Sequence, residues 1–382
     1  MGGKPLKIVY CTPALYMAGG VERVLTLKAN YFAEHFDDDI TIILTDGKDK
    51  PLFYPLSDKV KVINLDINFE ELWRCSFTKK IFVYLKKQRQ YKKRLTKELM
   101  RIRPDITISL LRREINFIND IKDGSKKVGE LHVNRANYRK IEGSESNWLK
   151  RLFAKYWSCS LVSHLRKLDK LVVLTETDRE AWKELDNVVV IPNPSPFMPS
   201  SVSALTEKRI IAVARYSHEK GIDLLLEAWA EAEKQCVDWR LDVYGEGDTT
   251  PYEHLIDKLG VDRSRCQLNG RTNEIEQKYL KSSIAVCSSR FEGFGMALVE
   301  AMACGLPVVA FDCPWGPRSV IHDGEDGVLV ENGCPSALSQ ALVMLMSDTK
   351  KLKTMAIAAR QHVKRFSIEQ VVEFWQQKIF GC

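Results

Sequence analysis

The stretch Ile284–Phe311, IAVCSSRFEGFGMALVEAMACGLPVVAF, contains a complete strand–loop–helix–strand unit. It begins with the short apolar run Ile284–Cys287, which has the length of a buried strand. The turn Glu292–Gly295 is followed by Met296–Cys304, a run of helix formers that ends at a Gly-x-Pro stop. Val308–Phe311 is then the next apolar run. The unit predicts an α/β fold with a parallel sheet, in which the helix N-terminus offers a place for a phosphate.

Two carboxylates flank this predicted helix, Glu292 just before it and Glu300 within it. Anionic side chains repel a phosphate, so we interpret them as acceptors for hydroxyl groups. A ligand that carries both phosphates and many hydroxyls is a nucleotide sugar. The residues alone leave a plainer alternative open, in which Glu292 favours the helix dipole and Glu300 is a solvated helix residue.

The order of these residues resembles the Glu-x7-Glu signature of glycosyltransferase family 4, through EGFG, the following Glu-Ala pair and GLPV. The resemblance implies a retaining enzyme of the GT-B fold. That fold has two Rossmann-like α/β domains facing across a cleft, with a C-terminal helix that crosses back to the first domain. It also implies a catalytic role for Glu292. The implied donor-binding or nucleotide-binding residues of this stretch are Gly293, Phe294, Gly295, Met296 and Glu300.

A second group of candidate residues follows the predicted strand Ile210–Ala214. Arg215 comes directly after this strand, and Lys220 precedes a glycine that opens the next helix. Two cations on one strand–helix loop can neutralise a diphosphate, although such a pair is more often solvated. The pattern Arg-x4-Lys-Gly resembles the diphosphate-binding pair of the family, which implies catalytic roles for both. The resemblance also places Gly270 and Arg271 beside the nucleotide base.

In the first half of the chain, Gly19 and Gly20 lie between a predicted strand and helix, where backbone can approach a ligand closely. His132 is expected at the end of another strand. A lone histidine is more often structural, but by resemblance it occupies the place of a family histidine near the donor sugar, which implies a catalytic role.

The domain boundary is expected at a stretch with four prolines, residues 192–199. We therefore expect one domain at residues 1–192 and another at 193–365. The resemblance implies that the first binds the acceptor and the second the nucleotide sugar, and that residues 366–382 form a helix that packs back on the first domain.

Composition excludes several protein classes. No apolar run approaches the ~20 residues of a membrane span, and the N-terminus shows no signal-peptide pattern. The ten cysteines include no Cys-x-x-Cys pair, which argues for thiols in a reducing, cytoplasmic compartment. No clear His/Asp metal cluster is evident, so we expect no metal and no cofactor besides the nucleotide-sugar substrate. No nucleic-acid recognition motif is present either.

The charge is concentrated in the first half of the chain. Residues 1–190 carry 36 Lys+Arg against 25 Asp+Glu, whereas the whole chain has a net charge of +7. Twelve basic residues and one acid lie between Arg74 and Arg103, where apolar residues recur at helical spacing. The plain interpretation is a helix that packs on the sheet with a solvated outer face. The sharper hypothesis is peripheral contact with an anionic membrane at its inner face, and both can hold.

Together these features predict a transferase that moves a hexose or N-acetylhexosamine from a nucleotide sugar to a glycan or lipid-linked acceptor, as in envelope polysaccharide or lipopolysaccharide synthesis. The resemblance to the family implies a UDP-linked donor before GDP-mannose. The alternatives are a sugar-nucleotide epimerase of the same fold, a non-catalytic nucleotide-sugar-binding scaffold and, on fold grounds, a phosphorylase. Attack by Glu292 as a covalent nucleophile is a further alternative to direct same-face transfer.

Overall fold

A computed structural model describes residues 5–74, 76–135, 138 and 159–381. The chain divides into two compact units. The first contains Met1–Pro192 together with Val372–Cys382, and the second contains Asn193–Val371. Each unit has its own parallel β-sheet.

The sheet of the first unit has seven parallel strands in the order β3-β2-β1-β4-β5-β6-β7. Its central strands are apolar and buried, as expected for a parallel sheet covered on both faces. The strands are β1 Lys7–Thr12, β2 Asp39–Leu44, β3 Lys61–Asn64, β4 Ile106–Ser109, β5 Lys126–Glu130, β6 Lys170–Val173 and β7 Val188–Val190.

The helices of the first unit follow the strands in the usual α/β alternation. They are α1 Gly20–His35, α2 Phe77–Ile102, α3 at residues 159–166 and α4 Glu176–Ala181. The basic helix expected between Arg74 and Arg103 is confirmed as α2. Its residues Tyr91, Leu95 and Leu99 are buried in the core, so one face of the helix does pack on the unit.

The sheet of the second unit has six parallel strands in the order β10-β9-β8-β11-β12-β13. The strands are β8 Arg209–Val213, β9 Arg240–Tyr244, β10 Cys266–Asn269, β11 Ile284–Cys287, β12 Val308–Phe311 and β13 Gly327–Val330. The helices are α5 Ile222–Ala232, α6 Thr250–Leu259, α7 Ile275–Leu280, α8 Met296–Ala303, α9 Pro317–Val320, α10 Pro335–Ser347 and α11 Thr349–His362. The predicted strand–loop–helix–strand unit is confirmed as β11, α8 and β12.

The last helix, α12 Ile368–Trp375, continues into a π-helical turn at Gln376–Phe380. Its C-terminal part belongs to the first unit, where the Phe380 ring lies 5.2 Å from the Phe32 ring of α1. None of the described helices is long and apolar enough to span a bilayer.

A buried ion pair joins α1 to the end of β5. The Lys28 ammonium bonds to Glu130, and the Trp375 ring centroid lies 4.2 Å from the Lys28 Nζ atom. Burial by itself raises the pKa of Glu130. The charges of Lys28 and His132 have the larger, opposite effect and bring the pKa down to about 2. This pKa lies below the unfolded value of 4.5, so the Glu130 charge contributes stability that is fully present above about pH 4.5 and is lost as the pH falls toward 2. Burial lowers the pKa of Lys28, so the cost of burying the ammonium offsets part of that contribution.

We therefore predict that Glu130→Gln lowers the free energy of unfolding at pH 7 by about 3–5 kcal/mol, because it leaves a buried ammonium unpaired. It should also weaken the dependence of stability on pH below about 4.5. Thermal and urea unfolding measured between pH 7 and pH 3 test both effects.

Asp120→Asn is the matched control, because Asp120 forms an exposed ion pair with Lys92 in the same unit. That change should cost at most about 1 kcal/mol. Equal unfolding free energies for the two variants at pH 7 would contradict the role given to Glu130.

Candidate active site

The candidate site in the second unit is built on the loops that follow β8 and β11, which are neighbouring parallel strands. Residues that follow adjacent parallel strands lie at the same edge of the sheet, where α/β proteins bind ligands. Arg215 follows β8 closely, and its side chain is 67% exposed with Glu219 Oε1 3.2 Å from its guanidinium. The neighbouring Tyr216 hydroxyl donates to the Asn269 carbonyl at 2.9 Å, which anchors this loop to the end of β10.

Lys220 is held by direct backbone contact between the two loops. Gly221 has a φ of +60°, and a Cβ atom there would lie 2.1 Å from the Ser288 carbonyl oxygen. The Ser288 hydroxyl in turn donates to the Lys220 carbonyl at 3.0 Å. A residue with a side chain cannot occupy position 221 without separating these loops. The glycine therefore fixes the position of the Lys220 backbone relative to the second loop.

The Lys220 ammonium meets the Glu292 carboxylate at this junction. Lys220 Nζ lies 2.5 Å from Glu292 Oε1, and the Ser289 hydroxyl donates to the same oxygen at 2.6 Å. Burial by itself lowers the pKa of Lys220, but the Glu292 carboxylate outweighs it and raises the pKa above its ordinary value. The lysine is therefore a fixed cation at neutral pH. Burial, followed by the charge of Glu292, raises the pKa of the nearby Cys287 thiol.

A second ion pair supports the two loops and was not predicted from the sequence. The Arg290 guanidinium forms two bonds to Asp223, at 2.9 and 2.7 Å, and a third to the His218 carbonyl at 2.7 Å. Its backbone N–H donates to the Glu219 carbonyl at 2.9 Å. Asp223 lies in the first turn of α5, 67 residues away in sequence, so no local spacing could have indicated the pair.

The N-cap of α8 lies three residues after Glu292. Gly295 caps the helix with a φ of +92°, and Met296 is its first residue. The ring of Phe294 is buried against Phe366, with ring centroids 5.5 Å apart, so this residue has only its backbone to offer a ligand. Gly293 is half-buried between Glu292 and Phe294.

Glu300 is 7% exposed, on the buried side of α8. The plain alternative of a solvated helix residue is therefore wrong for Glu300. The plain alternative for Glu292 was an interaction with the helix dipole alone. Its carboxylate also bonds to the Lys220 ammonium and the Ser289 hydroxyl.

The remaining predicted residues lie outside the loops that carry Lys220 and Glu292. Gly270 directly follows β10, and a Cβ atom there would meet no heavy atom within 4 Å. Arg271 comes next on the same loop. In the first unit, Gly19 is the N-cap of α1 and Gly20 its first residue.

His132 lies just after β5 in the first unit, with Nε2 3.2 Å from Glu130 Oε1. It therefore belongs to the buried cluster of Lys28 and Glu130, which supplies a structural reason for a histidine here. Its role near a donor sugar stays a prediction.

The loop contact at Gly221 yields a stability prediction. Gly221→Ala should cost more unfolding free energy than Gly260→Ala, by roughly 1–3 kcal/mol, the usual cost of overpacking. Gly260 is the matched control, since its φ is +69° but nothing lies within 4 Å of a Cβ there. Both variants share the strain of a left-handed alanine, so urea unfolding isolates the clash with Ser288. An equal loss for the two variants would contradict the role of position 221.

Comparison with known proteins connects this geometry to a family. Residues 196–362, which make up most of the second unit, match the family model described as glycosyl transferases group 1. The chain is 28% identical over 364 residues to an uncharacterized glycosyltransferase of Haemophilus influenzae, covering 94% of this chain and 96% of that protein. It is 30% identical to the amylovoran biosynthesis glycosyltransferase AmsD of Erwinia amylovora, over 54% of this chain and 61% of AmsD.

Among solved structures, the fold is similar to that of a TarM variant from S. aureus in complex with fondaparinux, alpha-GlcNAc-glycerol and UDP. The TM-score is 0.73 at 16% identity, covering 98% of this chain and 99% of that chain. This likeness confirms the GT-B fold. The match to the family model covers both Lys220 and Glu292. Residues 196–362 of this chain are thus similar in sequence to the group 1 glycosyltransferases.

Proposed function

We propose that this protein is a retaining, metal-independent glycosyltransferase of family 4. It would move a hexose or N-acetylhexosamine from a UDP-linked donor to a hydroxyl of a glycan or lipid-linked acceptor. The observation that carries the proposal is the Lys220–Glu292 contact of 2.5 Å beside the N-terminus of α8. The Lys220 ammonium and the N-terminus of α8 can bind phosphates at this site, and the adjacent Glu292 carboxylate can bind hydroxyls.

The leaving diphosphate is the first requirement of the chemistry. Lys220 carries its charge at neutral pH, and the exposed Arg215 side chain on the same loop can turn toward a phosphate by releasing Glu219. The N–H groups at the start of α8 add a partial positive charge. Preorganised groups of this kind stabilise charge that develops in the transition state without needing to reorganise. A divalent metal is then not required for departure of the diphosphate.

The sugar and the nucleoside are the second requirement. Glu292 is oriented by Ser289 and Lys220, so its carboxylate is positioned to accept hydrogen bonds from sugar hydroxyls. We assign the ribose hydroxyls to Glu300. The backbone around Gly270 and Arg271 would meet the base, with open space at Gly270.

The transfer step forms a bond between the acceptor oxygen and the anomeric carbon while the bond from that carbon to the phosphate oxygen breaks. The acceptor proton passes to the departing diphosphate, which leaves on the same face of the sugar. Glu292 is less suited to be a nucleophile, because its Oε1 already accepts two hydrogen bonds.

The relatives support a donor and acceptor class. TarM was crystallised with UDP and alpha-GlcNAc-glycerol, and AmsD is named for the biosynthesis of the polysaccharide amylovoran. We therefore assign this chain to envelope polysaccharide assembly, with GDP-mannose as the second candidate donor. An epimerase would need no acceptor. A binding scaffold would bind the nucleotide sugar without transferring it, so acceptor-dependent turnover separates these alternatives.

We also propose that helix α2 contacts an anionic membrane at its inner face. Phe82 and Leu85 are 72% and 52% exposed, although they lie on the helix whose other face is buried in the core. Lys86, Arg89 and Lys93 are exposed and recur with Phe82 at helical spacing. Apolar side chains ringed by cations suit the interface of an anionic bilayer.

For the active site, we predict that Lys220→Ala and Glu292→Ala each lower transfer at least about 100-fold, because each removes a group that stabilises developing charge or holds the sugar. Product formation is measured with labelled nucleotide sugars and a lipid-linked glycan acceptor. Circular dichroism verifies that both variants fold.

Lys208→Ala is the matched control, since Lys208 forms an exposed ion pair with Asp238 at 2.6 Å in the same unit. Its transfer rate should equal that of the unaltered protein. Near-native transfer by either site variant would overturn the assignment. The same assay with EDTA should retain its rate, whereas a complete loss that manganese restores would show a metal-dependent mechanism.

For the membrane surface, we predict that Phe82→Ser with Leu85→Ser weakens binding to vesicles containing phosphatidylglycerol, and that Ile357→Ser does not. Ile357 is an equally exposed apolar residue on α11 in the other unit. Vesicle sedimentation measures the bound fraction, with pure phosphatidylcholine vesicles as the charge control. Equal binding by all three proteins would contradict a docking role for α2.

A further inference from the structure

We propose a binding site for a divalent transition-metal ion, with zinc as the best fit, formed by His322, His362 and Asp326. The site lies in the second unit, where the loop before β13 meets the end of α11. It contains none of the residues assigned to the donor. The metal site therefore does not depend on the proposed transfer reaction.

Three potential ligand atoms converge at this place. The Nδ1 atoms of His322 and His362 lie 3.0 Å apart. The Oδ2 atom of Asp326 lies 2.8 Å from the His362 Nδ1 atom and 3.2 Å from that of His322. Neighbouring ligand atoms around a tetrahedral zinc ion, at ~2.0–2.1 Å from the metal, are ~3.3 Å apart. The triangle is slightly smaller than this, so small side-chain rotations would admit the ion.

Asp326 is well prepared to act as a ligand. It is 0% exposed, and its Oδ1 atom accepts the His322 backbone N–H at 2.8 Å. This bond holds the carboxylate so that Oδ2 faces the two imidazoles. A carboxylate fixed by an outer hydrogen bond is the usual support of a metal site.

Glu325 offers a further carboxylate close to both histidines. One ligand atom from each of Glu325, His322 and His362 lies within 4.8 Å of the others. Two carboxylates balance the charge of a divalent ion. Two imidazole nitrogens favour zinc, cobalt, nickel or copper over magnesium and calcium, which prefer oxygen ligands throughout.

The two chain segments are already joined next to the site. The Arg365 guanidinium donates to the Val320 carbonyl at 2.6 Å and to the His362 carbonyl at 3.1 Å. This bridge brings the end of α11 to the loop that carries His322 and Asp326. The ligand side chains are therefore held together before any ion binds. An ion bound there would link the end of α11 to the loop before β13 and raise the stability of the folded unit.

Titration of the metal-free protein with Zn²⁺ and with Co²⁺ tests the proposal. One ion should bind per chain, and Co²⁺ should give the visible absorption of a four-coordinate or five-coordinate site with nitrogen ligands. His322→Ala and His362→Ala should each lower the affinity at least about tenfold, since even changes to outer-shell partners commonly cost about 10–100-fold. The control His254→Ala, at an exposed histidine of the same unit, should bind as the unaltered protein does.

Circular dichroism verifies folding, and His362→Gln provides a milder change should the alanine variant fail to fold. Chelation should lower the melting temperature of the unaltered protein but not of His362→Gln, while glycosyl transfer at 25 °C persists. The proposal is overturned if the unaltered protein binds no Zn²⁺, or if both histidine variants bind it with undiminished affinity.

Discussion

The contact of 2.5 Å between the Lys220 ammonium and the Glu292 carboxylate depends on the close approach of two loop backbones at Gly221, which has no side chain. At Gly221 the backbone of one loop reaches the Ser288 carbonyl of the other, and the Arg290–Asp223 ion pair ties the same two segments together. Fixing the loops in this way fixes the cation and the carboxylate as well. The candidate site is therefore preorganised before any ligand binds, which is the condition under which charged groups contribute most to catalysis.

The sheet explains why these loops meet at all. Strands β8 and β11 pair in parallel, with Ile210 opposite Ile284 and Ile211 opposite Ala285, so the loops that follow them leave the same edge. The helix α8 begins directly after one loop and presents its N-terminus there. The order of strands thus gathers cation, carboxylate and helix N-terminus from separate parts of the chain, at the edge where α/β sheets bind ligands.

Local patterns predicted much of this arrangement. The unit of β11, α8 and β12 could be predicted because its apolar runs and its glycine and proline stops lie within 28 residues, from Ile284 to Phe311. The edge strand β3 carries no such signal, since its residues are exposed or half-buried. The partnership of Arg290 with Asp223 and the convergence of His322 on His362 arise from tertiary packing, across 67 and 40 residues. The sequence pattern also could not predict which way a side chain points. The ring of Phe294, for example, is buried in the unit.

We propose that Lys220 recognises the diphosphate of the donor. Calorimetric titration of the unaltered protein and of Lys220→Ala with UDP, GDP and uridine tests it most directly, because uridine lacks the phosphates. We expect the nucleoside diphosphate that the unaltered protein prefers to lose at least about tenfold in affinity in the variant, the equivalent of ~1.4 kcal/mol. Any uridine affinity should stay the same. Equal affinity of both proteins for that nucleoside diphosphate would contradict the account.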